Sequence, residues 1–202
     1  MAFPVIMVPA RLASSRFPEK LLHHIDGVPL LVLVARRLRR EMPDWRVVFA
    51  VDHPRLAAVL EGEEVEWVMT RPDHHSGTDR LAEANAIIGA ATVVNVQADE
   101  PLVSRRQIEA LVASLGEGQV MSTLVTPLRK AADFLDPNQV KCVRAKDGEA
   151  LYFSRAPVPF PRDGMPGPED SFWNLTPPWR HLGLYAYRGD FLPVFRELPN
   201  GR

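Results

Sequence analysis

Val93-Val94-Asn95-Val96-Gln97-Ala98-Asp99-Glu100-Pro101 passes from a β-branched apolar run to an amide, a small residue, two carboxylates and a proline. This pattern predicts a buried strand whose carboxyl end carries Asp99 into a turn. In an open parallel sheet, ligands bind just outside the carboxyl ends of the strands. Asp99 is therefore either a ligand-facing acid or a simple cap of the next turn.

The chain before it supplies the rest of such a sheet. Phe3 to Val8 is a short apolar run ended by Pro9, and it predicts a first buried strand. Pro9 to Lys20 then combines small residues with three cations, Arg11, Arg16 and Lys20. That composition suits a loop that wraps a polyphosphate, with backbone N–H groups in close approach and cations neutralising charge. It lacks the spacing of a P-loop, and a solvated surface loop is the alternative. If the loop does hold phosphates, Asp99 suits a Mg²⁺ shared between protein and nucleotide.

Asp26-Gly27 signals a turn, and Pro29 suits the start of a helix from Leu30 to Arg40. The arginines near the end of that helix complement its dipole. Arg46 to Val51 predicts a strand ended by Asp52, His53-Pro54 opens a helix to Leu60, and Val65 to Met69 predicts a third strand. This βαβαβ alternation implies a mostly parallel sheet with helices on both faces. After the loop of residues 70–80, with Thr78 or Asp79 as the expected cap, a helix runs from Arg80 to Ile88. His74 and His75, like His23 and His24, are adjacent and are expected to be solvated or hydrogen-bonded rather than metal ligands. Ser104 caps another predicted helix.

Further on, Val140 to Arg144 and Ala150 to Phe153 flank Lys146-Asp147-Gly148 and predict a hairpin. Residues 156–178 hold seven of the nineteen prolines, a density that predicts an extended arm without regular structure. Its aromatics, Phe172, Trp173 and the adjoining Trp179, serve either a subunit contact or the packing of the arm itself. His181 to Tyr187 predicts a last strand and Gly189 to Leu198 a closing helix.

Composition excludes several classes. The net charge of -1, without a basic block, disfavours a nucleic-acid-binding surface. Cys142 is the only cysteine, which rules out an internal disulfide and fits a cytoplasmic setting. It lies in an apolar run and is expected to be a buried, inert thiol. No segment is apolar and long enough to span a bilayer, and the N-terminus lacks the features of a signal peptide.

Six blocks stand in one order along the chain: VPARLASSRFPEKLL from Val8, MTRPDHHSGTDRLAE from Met69, VNVQADEP from Val94, DPNQVKCV from Asp136, LYFSRAPVPF from Leu151 and RHLGLYAYR from Arg180. With them the chain resembles the 3-deoxy-manno-octulosonate (KDO) cytidylyltransferases, or CMP-KDO synthetases. The resemblance implies a single domain over residues 1–202 with a three-layer αβα nucleotide-diphospho-sugar transferase fold. That fold is Rossmann-like, with a mostly parallel sheet and a small antiparallel extension. It also implies a cytoplasmic, Mg²⁺-dependent, homodimeric enzyme that moves CMP from CTP to KDO for lipopolysaccharide synthesis.

By the same resemblance, Ala10, Arg11, Arg16 and Lys20 look like the triphosphate-binding residues. Thr70, Arg71, Ser76 and Gly77 look like the base and ribose contacts. Asp99 looks like the Mg²⁺ ligand, and Arg11, Lys20 and Asp99 form the implied catalytic set. Gln97, Arg155, His181 and Tyr185 look like the grip on the acidic sugar. Their amide, guanidinium, imidazole and phenol suit a carboxylate with many hydroxyls. The chain departs from the family at Ala98, where glycine is usual. The family also continues for roughly forty residues beyond the stretch matched, within ordinary domain length. That tail brings a Glu near the sugar and a second metal-ligand Asp. Two other readings are a truncated homologue that binds CTP or sugar without turnover, and a transferase for a different acidic sugar.

Overall fold

The computed structural model describes residues 4–14, 17–162, 164–167, 170–175 and 177–198. Within the family domain expected from the sequence, the chain groups into two compact units. One comprises residues 1–122 with 184–202, and the other residues 123–183.

The first unit is built on parallel strands β1 (Val5–Ala10), β4 (Val47–Val51), β5 (Glu66–Met69) and β6 (Thr92–Asn95), in the order β5-β4-β1-β6. Residues Tyr185 to Arg188 of β10 (Trp179–Arg188) pair antiparallel with β6 and complete this part of the sheet. Strand β1 alternates apolar residues on both faces because both faces are covered. Val5 and Met7 pack with Val48, Ala50 and Val93 against Leu81 and Ala84 of α3 (Gly77–Ile88) and Leu192 of α7 (Phe191–Glu197). Their neighbours Ile6, Val8 and Phe49, on the opposite face, are equally closed to solvent. Each Val, Leu, Ile, Met or Phe among them contributes about 1.5–3 kcal/mol on burial. Helices α1 (Leu30–Glu41), α2 (Pro54–Leu60) and α4 (Arg105–Ser114) complete the layers expected of a three-layer fold.

Local chemistry explains the boundaries. Asp26 and Gly27 both take positive φ in the turn between β2 (His24–Ile25) and β3 (Val28–Pro29), where glycine is at ease. Pro29 caps α1, and the arginines of its last turns bind carboxylates: Arg36 reaches Glu63, and Arg37 reaches Glu41. Helix α3 corrects one expectation. Its cap is Ser76, not Thr78 or Asp79, and Asp79 stands at the third position of a capping box. The Ser76 hydroxyl accepts from Asp79 N (3.1 Å), while the Asp79 carboxylate accepts from Ser76 N (3.0 Å).

In the second unit, β8 (Lys141–Arg144) and β9 (Ala150–Ser154) form the expected hairpin. Trp179 and Arg180 of β10 pair with Cys142 and Lys141. A small core joins Leu128, Phe134 of α5 (Ala131–Leu135) and Trp173. The proline-rich segment thus holds a short helix, α6 (Phe172–Leu175), which qualifies the expectation of no regular structure. Trp173 is buried, and its indole N–H donates to Gly167 O at 2.7 Å, so this aromatic packs the segment on itself. Trp179 instead carries the Arg144 guanidinium 4.0 Å above its ring.

Candidate functional site

Because β1, β4, β5 and β6 run parallel, their carboxyl ends open at one edge of the first unit. Strand β1 ends in buried Ala10 and exposed Arg11. Leu12 N donates to Asp52 Oδ1 (2.8 Å) at the end of β4. Thr70, after β5, is buried, and its hydroxyl donates to Val51 O (2.9 Å) while accepting from Arg80 (2.6 Å). Arg80 rises from the first turn of α3 and continues to Arg71 O (3.2 Å) and Asp52 Oδ2 (3.0 Å). Three strand ends are therefore tied together by one buried ion pair. Burial pushes the Arg80 guanidinium below its ordinary value, and the carboxylates of Asp52 and Glu83 oppose that shift.

A cavity of about 230 Å³ opens above this network, lined by Arg11, Ser76, Gly77 and Gln97 among the predicted residues and by His74, His75 and Arg80 besides. Gly77 packs closely on Pro9, since a Cβ there would meet the proline ring at 3.3 Å. The cavity's donors are guanidinium, amide and helix N-terminus, which favours a negatively charged or carbonyl-rich ligand. Glu83 braces the rim. Its carboxylate accepts from Arg71 N (3.2 Å) and is hydrogen-bonded to the His74 ring. Burial acts to raise the Glu83 carboxyl, yet His74 and Arg71 together bring it below its usual range. His74 is thus hydrogen-bonded and His75 exposed.

Asp99 lies beyond the end of β6, and its carboxylate pairs with the Lys20 ammonium, both half-exposed. Ala98, beside it, is buried. Among the described residues no three His, Cys, Asp or Glu side chains converge on a metal position. Arg16 lies outside the described residues. A second cavity of about 770 Å³, lined by Glu19, His23, His24 and Arg55, contains none of the predicted residues.

Of the predicted sugar residues, Gln97 lines the first cavity and donates to Asn95 Oδ1 (3.3 Å). Tyr185, stacked 5.8 Å from Tyr187, has its phenol pushed up to about 12 by burial, with a smaller push from Tyr187. Arg155 and His181 belong to the second unit. There Arg155 donates to Pro137 O (2.8 Å). His181 Nε2 lies 2.8 Å from Thr123 Oγ1, its ring meets Phe153 edge-on, and burial pushes its pKa down.

Asp52, Arg80 and Glu83 were not among the predicted residues. Asp52 had a signal in the sequence: like Asp99, it ends an apolar strand with a carboxylate. Arg80 and Glu83 had none, because a cation and an acid on a helix ordinarily read as its solvated face.

An open, mostly parallel sheet with helices on both faces and a cationic cavity at its strand ends defines a doubly wound α/β protein built to receive an anionic ligand there. Within it, the chain belongs to the cytidylyltransferase family, whose family model matches residues 5–198. It is 43% identical over 201 residues to the 3-deoxy-manno-octulosonate cytidylyltransferase of Herminiimonas arsenicoxydans, covering 98% of this chain and 80% of that one. It is 47% identical to the enzyme of the same name from Syntrophotalea carbinolica, over 96% of this chain and 78% of that one. The solved structure of a CMP:2-keto-3-deoxy-manno-octonic acid synthetase complexed with CTP superposes with a TM-score of 0.86 at 35% identity. That match covers 99% of this chain and 80% of the other.

Proposed function

We propose that the chain transfers CMP from CTP to KDO and releases pyrophosphate. The observation that carries this reading is its similarity, over 99% of its length, to a synthetase solved with CTP. In the reaction the anomeric oxygen of KDO bonds to the α-phosphorus. The bridging α–β P–O bond breaks, its electron pair leaves with pyrophosphate, and the hydroxyl proton is lost to solvent.

The protein's work is positioning and charge neutralisation. Arg11 and Lys20 meet the triphosphate, and Arg16 belongs to the same loop. The buried Asp52–Arg80 pair keeps the strand-end loops in place. The small cavity at Ser76, Gly77 and Gln97 is below the usual pocket range of ~300–1,000 Å³ and suits part of a nucleotide rather than the whole. Arg155 meets the carboxylate of the acidic sugar, with His181 in the same unit, and the amide of Gln97 and the phenol of Tyr185 have the chemistry of hydroxyl partners. A phenol raised to about 12 stays protonated and can donate at neutral pH.

Asp99 is the residue to hold Mg²⁺. A single half-exposed carboxylate is not a protein metal cage, but it fits an ion that takes most of its ligands from phosphates and water. Bound there, Mg²⁺ would neutralise phosphate charge and favour loss of the hydroxyl proton. A triphosphate gives Lys20 an alternative anion and so frees the Asp99 carboxylate. We further infer that the enzyme is a cytoplasmic homodimer supplying lipopolysaccharide precursor. Support for pairing comes from β9, which ends the sheet order and exposes Leu151, Tyr152 and Phe153.

The test is pyrophosphate release on mixing the protein with CTP, Mg²⁺ and KDO. Saturable CTP binding without release would make it a binding homologue, and release with another acidic sugar but not KDO would reassign the substrate.

A further inference from the structure

Lys141 opens β8 with its side chain wholly closed to solvent. Its Nζ donates to the Asp136 carbonyl at 2.9 Å. Across the ladder Lys141 stands opposite Ser154, the last residue of β9. The next residue, Arg155, turns back and donates through Nη1 to the Pro137 carbonyl at 2.8 Å. Two cations thus rest on consecutive carbonyls of one turn.

Both add to a turn that already has bonds of its own. The Asp136 carbonyl already accepts from Gln139 N (3.1 Å), and the Asp136 carboxylate accepts from Asn138 N (2.8 Å) and Asn138 Nδ2 (3.0 Å). A buried ammonium is costly for folding, and an apolar side chain of similar length would fill the space without that cost. Burial pushes the Lys141 ammonium below its ordinary value. Asp136 opposes the shift and Arg155 adds to it. A second positive charge behind the first has a use where an anion is met.

We propose that Lys141 is a positioning residue for Arg155: it braces the turn that holds the guanidinium, adds its charge behind it, and thereby sets affinity for the carboxylate of the acidic sugar. The inference rests on Arg155 as the carboxylate partner. The experiment is a double-mutant cycle of Lys141→Met and Arg155→Ala in the full chain, reading KM for KDO, KM for CTP and kcat. Lys141→Met is expected to raise KM for KDO about tenfold with KM for CTP unchanged, within the usual range of pairwise coupling. In the Arg155→Ala background the same change is expected to have no further effect. Equal rises for both substrates, no rise, or an undiminished rise in that background would overturn the role of Lys141. An Arg155→Ala variant with unaltered KM for KDO would instead overturn the reading of Arg155 and the inference built on it. Should Lys141→Met fail to fold, Lys141→Gln, which keeps a donor without the charge, takes its place under the same criteria.

Discussion

The Arg80 guanidinium lies 3.0 Å from the Asp52 carboxylate, with 3% and 8% of the two side chains exposed. Arg80 also holds Thr70 and Arg71, and Asp52 holds Leu12, so the pair anchors the loops after β1 and β5 to the end of β4. Removing one partner leaves a buried charge uncompensated, which costs about 3–5 kcal/mol. Asp52→Ala is therefore expected to lose a few kcal/mol in urea unfolding and to bind CTP more weakly. A variant as stable as the parent, with unaltered CTP affinity, would separate the pair from the nucleotide loops.

Asp99 separates stability from chemistry. Its ion pair with Lys20 is half-exposed, and such pairs contribute under about 1 kcal/mol. Asp99→Ala is expected to keep the urea midpoint near that of the parent while abolishing pyrophosphate release. Full activity in that variant would overturn the proposed metal role of Asp99.

The parallel sheet was legible because its strands are β-branched runs closed by acids or prolines, as at Val47–Asp52 and Val93–Asp99. The cap of α3 was misplaced because Ser76, Thr78 and Asp79 all suit a helix start, and only the bond geometry selects Ser76. Burial of charge was not legible at all. Alternation assigns every second strand residue to solvent, yet Lys141 is closed off. Trp173 likewise stands in a segment whose prolines suggest an open arm, and its burial depends on distant Leu128 and Phe134. Of the site, the residues at strand ends were readable, and the network beneath them was set by contacts remote in sequence.

The edge strand β9 predicts the oligomeric state. Leu151 of β9 is 61% exposed and Phe160, beyond the strand, is 71% exposed, and each is an apolar side chain suited to contact with a second copy. Sedimentation is expected to give twice the single-chain mass, and Leu151→Glu with Phe160→Glu to halve it. A parent protein of single-chain mass would refute pairing at this edge.

His181 predicts a pH dependence of stability. Its ordinary pKa is 6.5, and burial holds the folded value lower. Beneath 6.5 the unfolded chain accordingly takes up a proton that the folded chain resists. The stabilising effect of keeping this imidazole neutral is full above 6.5, declines as the pH falls, and stops changing once the folded value is passed. Carboxylates held low, such as Glu83 and Glu63, act in the same direction but from a lower ordinary value of 4.5, so the interval from pH 7 to 5 lies above their range. The parent is expected to lose more stability over that interval in urea titrations than His181→Gln, which carries no titrating ring. Equal losses in the two proteins would mean that the buried imidazole accepts its proton as readily as a free one.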